Sequence, residues 1–218
     1  AVATVMVPET QAESLTELVK TIAETVSEEL KGVDDNVTIQ LSDTATPASV
    51  MDLDSQNRLL NAIQGCPNGV FRMSPSIKGL VQTSTNLARV VFENGTIRMQ
   101  ALLRSSVDSE KEYLAETMSS VFTLAGAEVT PSGGYSGWNP DMSSPILKTM
   151  TESYEALYGQ EPAVMAIHAG LECGLLGGKY PGLDMISFGP TICYPHSPDE
   201  KVNIASVGKF WDYLLHTL

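Results

Sequence analysis

Apolar and polar positions alternate in ways that divide the chain into elements. Residues Ala1 to Val7 are apolar apart from Thr4 and rich in β-branched side chains, which predicts a strand. Leu15, Leu18, Val19, Ile22, Val26 and Leu30 then recur at helical period. Thr10 and Glu13 stand before them at capping-box spacing, and Gly32 supplies the stop. A short strand is predicted over Val37 to Leu41, a loop over Ser42 to Ala48, and a helix over Asp54 to Ile63 that stops before Cys66-Pro67. Two β-rich runs follow, Gly79 to Phe92 and Thr96 to Arg104. The Asn94-Gly95 pair between them is a hairpin signal, because both residues tolerate positive φ. Ser109 and Glu112 repeat the capping-box spacing, and Leu114, Met118, Val121, Phe122 and Ala125 share a helical face that ends at Gly126. A last short strand, Ala127 to Pro131, completes an α+β layer: an antiparallel sheet with helices on one side.

The texture changes at Ser132 to Pro140, where Gly and Pro are too frequent for an element interior. This stretch reads as a linker or crossover, and a domain boundary near Gly133 divides the chain into 1–133 and 134–218. Beyond it, Pro145 suits a first helical position, and Ile146, Met150, Tyr154 and Leu157 share a face that Gly159 closes. Strands are predicted over Val164 to Ile167 and Met185 to Phe188, and a short helix over Leu171 to Leu176. The end is helical, with Val207, Phe210, Trp211, Leu214, Leu215 and Leu218 on one side. These helices have broad apolar faces that require burial, while the segment itself offers few strands to cover them.

Composition narrows the function. With 26 acidic against 13 basic residues among 218, the net charge is −13. A general nucleic-acid binder needs a positive footprint, and an anionic membrane would repel this surface. No apolar run approaches the roughly 20 residues that span a bilayer. The N-terminus lacks the pattern of a signal peptide, and a chain opening directly on a strand at Ala1 reads as processed or excised. Three cysteines, Cys66, Cys173 and Cys193, make an odd number without metal-knuckle spacing, which favours a reducing compartment over a disulfide framework.

Several residues are candidates for chemistry, each beside a plainer role. His196 lies between Pro195 and Ser197-Pro198, just past an apolar strand. Such stiff placement suits a metal ligand or a base as well as an ordinary loop histidine, and one histidine cannot hold zinc alone. Glu172 follows His168-Ala169-Gly170-Leu171 and precedes Cys173-Gly174. The glycines would let its carboxylate reach a cleft, or it is a solvated residue at a helix start. Cys173 has no partner histidine at a telling spacing. Arg104, near a strand end, fits a substrate carboxylate or a surface ion pair. Asn86 interrupts a strand and either binds substrate or faces solvent. His216, in the last turn of the terminal helix, reads as solvated or dipole-facing. No phosphate loop or dinucleotide fingerprint is present.

One block carries a family resemblance. HAGLECGLLGGKYPGLDMISFGPTICYPHSPDEKV, from His168 to Val202, resembles the C-terminal part of aminoacyl-histidine dipeptidases, also called cytosol non-specific dipeptidases, within the co-catalytic zinc peptidases. TSTNL, from Thr83 to Leu87, and LLRSSVDS, from Leu102 to Ser109, resemble the lid region of the same family. The resemblance implies that residues 1–133 are the latter part of a lid. Residues 134–218 would then be the C-terminal part of an α/β zinc-peptidase catalytic domain. It implies that His196 is the last metal ligand, that Glu172 lies in the cleft, and that Arg104 and Asn86 meet the substrate's terminal carboxylate. It further implies two zinc ions per intact site, a dipeptide substrate of Xaa-His type, a cytoplasmic setting and a possible homodimer. The family's His-x-Asp pair, bridging aspartate and Glu-Glu pair with its general base are missing from this sequence. The chain alone is therefore expected to hold no metal pair and to hydrolyse nothing. Two alternatives stay open: a stand-alone structural or dimerisation module, and a related aminoacylase-type amidohydrolase.

Overall fold

The computed structural model describes residues 1–167 and 171–218; the first three residues of the His168 to Val202 block lie outside them. The chain divides into two compact units, Ala1–Asn57 and Arg58–Leu218. In the first, a 3-10 turn at Glu9–Gln11 leads into helix α1, Ala12–Glu29. The helix forms where the 3.6-residue period placed it, but none of its residues is buried. The capping box does not form: Gln11 occupies the cap position, and no side chain bonds the first turn. Thr16, Thr21 and Thr25 instead return their hydroxyls to carbonyls four residues back. The strands expected at Ala1–Val7 and Val37–Leu41 are absent. Both stretches are predominantly exposed and lack the ladder partner that makes extended chain a strand.

The second unit begins within helix α2, Leu53–Gly65, and contains a three-stranded antiparallel sheet in the order β1-β2-β3. Strands β2, Val81–Glu93, and β3, Thr96–Ser105, form the expected hairpin. Asn94 and Gly95 turn it with φ of 51° and 73°, as a two-residue primed turn requires. Strand β1, Gly69–Met73, was not visible as a period-2 pattern, and shifts of register interrupt its pairing with β2.

Helix α3, Asp108–Leu124, lies on one face of this sheet. Leu114, Met118 and Phe122, spaced at one turn, are buried with Ala62 of α2 and with Cys66, which follows it. Phe71, Leu87, Met99 and Leu103 of the three strands pack against them. This is the helices-on-one-side layer that the periodicity implied. The α3 capping box does not form either. Val107 is the cap residue, and its amide donates to the Ser105 hydroxyl at 3.0 Å. At the other end the amides of Gly126 and Ala127 return to the carbonyls of Thr123 and Phe122, a Schellman closure made possible by Gly126 at φ 83°. Residues Ala127 to Pro131 then continue without strand pairing.

After Gly133 the elements are helix α4, Pro145–Tyr158, helix α5, Glu172–Lys179, the two-residue strands β4, Ile192–Cys193, and β5, Lys201–Val202, and helix α6, Ile204–Thr217. Pro145 takes the first helical position and Gly159 ends α4 in the left-handed region, as expected. The strands expected at Val164–Ile167 and Met185–Phe188 do not form. Short apolar runs do not by themselves distinguish a strand from irregular chain. Instead, α4 and α6 pair through rings: Tyr154 and Tyr158 of α4 meet Tyr213 of α6, and Phe188 meets Phe210 and Tyr213. The Tyr213 hydroxyl donates to the Met150 carbonyl at 2.6 Å, and the Tyr158 hydroxyl to the Lys209 carbonyl at 2.7 Å.

Candidate functional site

Strand register decides where Asn86 and Arg104 stand. Arg104 pairs with Ser84 and Asn86 with Leu102, so the four share one face. The alternate residues Thr83, Thr85 and Ser105 are buried, and Leu87 and Leu103 pack against the core, on the face that α2 and α3 cover. Asn86 and Arg104 thus occupy diagonal positions on the helix-free face, both exposed, at a separation of roughly 7–8 Å. The same alternation adds Arg89 and Arg98 to that face, and Arg89 donates to Gln100 at 3.4 Å. In an acidic chain, this is a concentration of guanidinium groups where a carboxylate finds donors.

A polar network fixes the end of the sheet that holds Arg104. Glu110, in the first turn of α3, accepts from Gln82 Nε2 and Thr83 Oγ1, each at 2.8 Å, and pairs with Arg72 at 2.9 Å. Thr83 Oγ1 also shares a 2.8 Å hydrogen bond with Ser105 Oγ, so one carboxylate gathers all three strands. Desolvation works to raise the Glu110 carboxyl, but the bonds from Gln82 and Thr83 and the charge of Arg72 outweigh it and hold the group below its ordinary 4.5. Nothing in the sequence pattern marks this network, because Gln82, Thr83 and Ser105 read as ordinary strand polar positions.

The stretch expected to be a linker is half-buried at Ser136 to Trp138 and packed on both sides. A methyl group on Gly137 would sit 2.5 Å from the Ser105 carbonyl oxygen, and one on Gly174 would sit 2.5 Å from that of Ser136. Gly178 lies against the Ser136 hydroxyl in the same way, one turn further along α5. Asp108 secures the segment by accepting from the Gly137 amide at 2.8 Å and from Lys111 Nζ at 2.7 Å, while Lys111 also donates to the Tyr135 carbonyl. The Asp108 carboxyl is held below its usual range. Desolvation opposes that shift, and hydrogen bonds from Lys111 and Gly137 exceed it.

Glu172 is the first residue of α5 and is exposed. It therefore stands on the helix that this glycine seam joins to the end of β3. Next to it, Cys173 is buried, and burial together with the negative charge of Glu172 pushes its thiol up. Such surroundings disfavour the thiolate, the form that acts as a nucleophile.

His196 occupies the loop between β4 and β5. Tyr194 and His196, on either side of Pro195, have φ of 54° and 63°. Two non-glycine residues in the left-handed region mark a constrained turn. The His196 amide donates to the Glu200 carboxylate at 3.1 Å, which closes the loop, and the imidazole is exposed. Among the described residues no three His, Cys, Asp or Glu side chains come together to hold a metal ion, so those residues do not by themselves fit a zinc pair. His216 is more engaged than its sequence position suggested: its Nδ1 shares a 2.8 Å hydrogen bond with Ser153 of α4. The structure thus brings Asn86 and Arg104 to one face and ties α5, with Glu172, to the same end of the sheet. His196 stands on its own loop.

No family model matches the chain. Over all 218 residues it is 38% identical to the cytosol non-specific dipeptidase of Escherichia coli (strain K12), of which it spans 45%. Its fold superposes on aminoacylhistidine dipeptidase from Vibrio alginolyticus with a TM-score of 0.84 and 42% identity, covering 96% of this chain and 43% of that one. A more distant likeness, to aminopeptidase PepT from Bacillus cereus, has a TM-score of 0.60 at 16% identity, covering 74% and 44% of the two chains, and concerns the fold alone. The resemblance first carried by the His168 to Val202 block therefore extends along the whole chain. It is a resemblance to part of these enzymes, since the chain spans less than half the length of each.

Proposed function

We propose that this chain is a portion of a metal-dependent dipeptidase, with residues 1–133 the latter part of its lid and residues 134–218 the C-terminal segment of its catalytic domain. The observation that carries the reading is the similarity of essentially the whole chain to two dipeptidases, each more than twice its length. Arg104 supplies a bidentate donor for the dipeptide's terminal carboxylate, and Asn86, diagonal to it, adds an amide donor. Glu172 faces the opposite charge, the free ammonium at the other end of an unblocked dipeptide. His196, stiffened by its proline-flanked turn, is one ligand of a zinc pair whose other donors are not assembled among the described residues. The setting is the cytoplasm. Among the described residues no helix is long and apolar enough to cross a membrane. Homodimer formation through the sheet is supported by the position of β3 as an outer strand among the described residues, since the edge of a sheet is a template for pairing with a second chain.

The test compares the 218-residue chain with a full-length enzyme that contains it. The full-length enzyme is expected to cleave Xaa-His dipeptides in the presence of zinc, and the isolated chain to show no zinc-dependent cleavage. Cleavage by the isolated chain at a comparable kcat would sink the reading.

A further inference from the structure

The first turn of α3 carries two carboxylates whose partners lie in different segments of the chain. Glu110 points to the sheet, where Arg72, Gln82 and Thr83 converge on it and Thr83 passes the contact on to Ser105. Asp108 takes the Gly137 amide, and the next residue back, Ser136, is the one on which α5 rests through Gly174 and Gly178. Acidic residues suit any helix N-terminus, but that preference asks for no particular partner. A polar network at the boundary of a core costs stability unless it is completely satisfied. This one is satisfied: no buried side-chain nitrogen or oxygen among the described residues lacks a hydrogen bond. An apolar cluster would hold the same corner together at least as well. What the carboxylates add is direction.

We propose that Glu110 and Asp108 are positioning residues for the two ends of the substrate, Glu110 acting through Arg104 and Asp108 through Glu172. The proposal rests on the substrate-binding roles given above to Arg104 and Glu172. Arg104 has Leu103 in the core on one side and Ser105 in the Glu110 network on the other, so its backbone is held on both sides. Glu172 opens the helix whose Gly174 and Gly178 seat on Ser136, and Asp108 fixes the residue beside that seat. Because one helical turn carries both acids, the spacing between the guanidinium and the carboxylate that meet a dipeptide's two charges is set in one place.

The experiment uses the full-length enzyme containing this chain and three substrates: a free dipeptide, its C-terminal amide and its N-acetyl derivative. Glu110→Gln is expected to reduce the preference for the free carboxylate over the amide about tenfold, through KM, and to leave the preference for the free amine intact. Asp108→Asn is expected to do the reverse. In an Arg104→Ala background, Glu110→Gln should cause no further loss of carboxylate preference. Equal loss of both preferences in each variant, or a fall in kcat with melting temperature and no change in preference, overturns the proposal and leaves a structural role. If Arg104→Ala itself keeps the carboxylate preference, the binding assignment fails first and the proposal with it. Where Glu110→Gln does not fold, Ser105→Ala cuts the same link with a smaller change and is read in the same way.

Discussion

The sheet with its two helices and the chain after Gly133 contain similar apolar material but use it differently. In the first region, Leu114, Met118 and Phe122 find Ala62, Cys66 and four strand residues, and the cluster closes. In the second, Met150 and Cys173 are the only buried apolar side chains among the described residues. Leu175, Leu176, Leu183, Ile192, Trp211 and Leu215 remain exposed by about half. The strands differ in step: β2 and β3 run for 13 and 10 residues, β4 and β5 for two each. Local pattern suffices where partners lie nearby in the chain, as a hairpin and the following helix do. It does not suffice where an apolar run must find a distant partner to become an element.

The sharpest way to break this comparison is to make the same truncation in both regions. Leu114→Ala removes a fully buried side chain from the closed cluster and is expected to cost about 2–5 kcal/mol, read as a lower midpoint in urea unfolding. Leu175→Ala, at a side chain already 53% exposed, is expected to change the midpoint little, within about 0.5 kcal/mol. Equal losses at the two positions would mean that the second region is as well packed as the first.

The same contrast explains what the sequence revealed. The hairpin was legible because Asn94-Gly95 tolerates the positive φ that a two-residue turn needs at both positions, and α3 because its buried face repeats every turn. Ala1–Val7, Val164–Ile167 and Met185–Phe188 have the composition of strands and form none, since β-branched composition marks a tendency that only a ladder partner realises. The candidate site was half legible. Arg104 and Asn86 could be named from their positions in the strands, but their common face depends on a register interrupted by the irregularity between Leu87 and Arg89. Glu110 and Asp108 could not be singled out, because their partners lie up to 38 residues before and 29 residues after them in the chain. Asp184 was equally hidden, since it closes the N-terminus of α4 from 40 residues away.

The glycine seam between the two regions gives a smaller test. Gly137→Ala places a methyl group 2.5 Å from the Ser105 carbonyl and within 2.8 Å of Ser106, both backbone atoms with little freedom to yield. About 1–3 kcal/mol of destabilisation is expected in the same urea titration. Gly134→Ala is the control, since its methyl group meets nothing within 4 Å. If the two substitutions behave alike, the stretch from Ser132 to Pro140 is the loose linker that its composition suggested, and the two regions are not tied there.

The smallest expected effect lies wholly in the second region, at the start of α4. Ser144 accepts from the Leu147 amide at 3.2 Å and donates its hydroxyl to Asp184, whose other oxygen takes the Ile146 amide at 2.7 Å. Two of the helix's orphan amides are thus satisfied, one by a local side chain and one by a distant one. Ser144→Ala is expected to cost about 1 kcal/mol, as for an ordinary cap. Asp184→Asn keeps an oxygen for one partner and loses the negative charge at the helix N-terminus, so a similar or smaller loss is expected. The double substitution decides how the second region is held. If the combined loss is clearly less than additive, the serine and the aspartate act as one unit, and a long-range polar contact supplies part of the order that burial supplies around Leu114. If the losses simply add, the serine caps α4 by itself. The 40-residue link to Asp184 is then incidental, and the order of this region rests on local capping and on the ring contacts between α4 and α6.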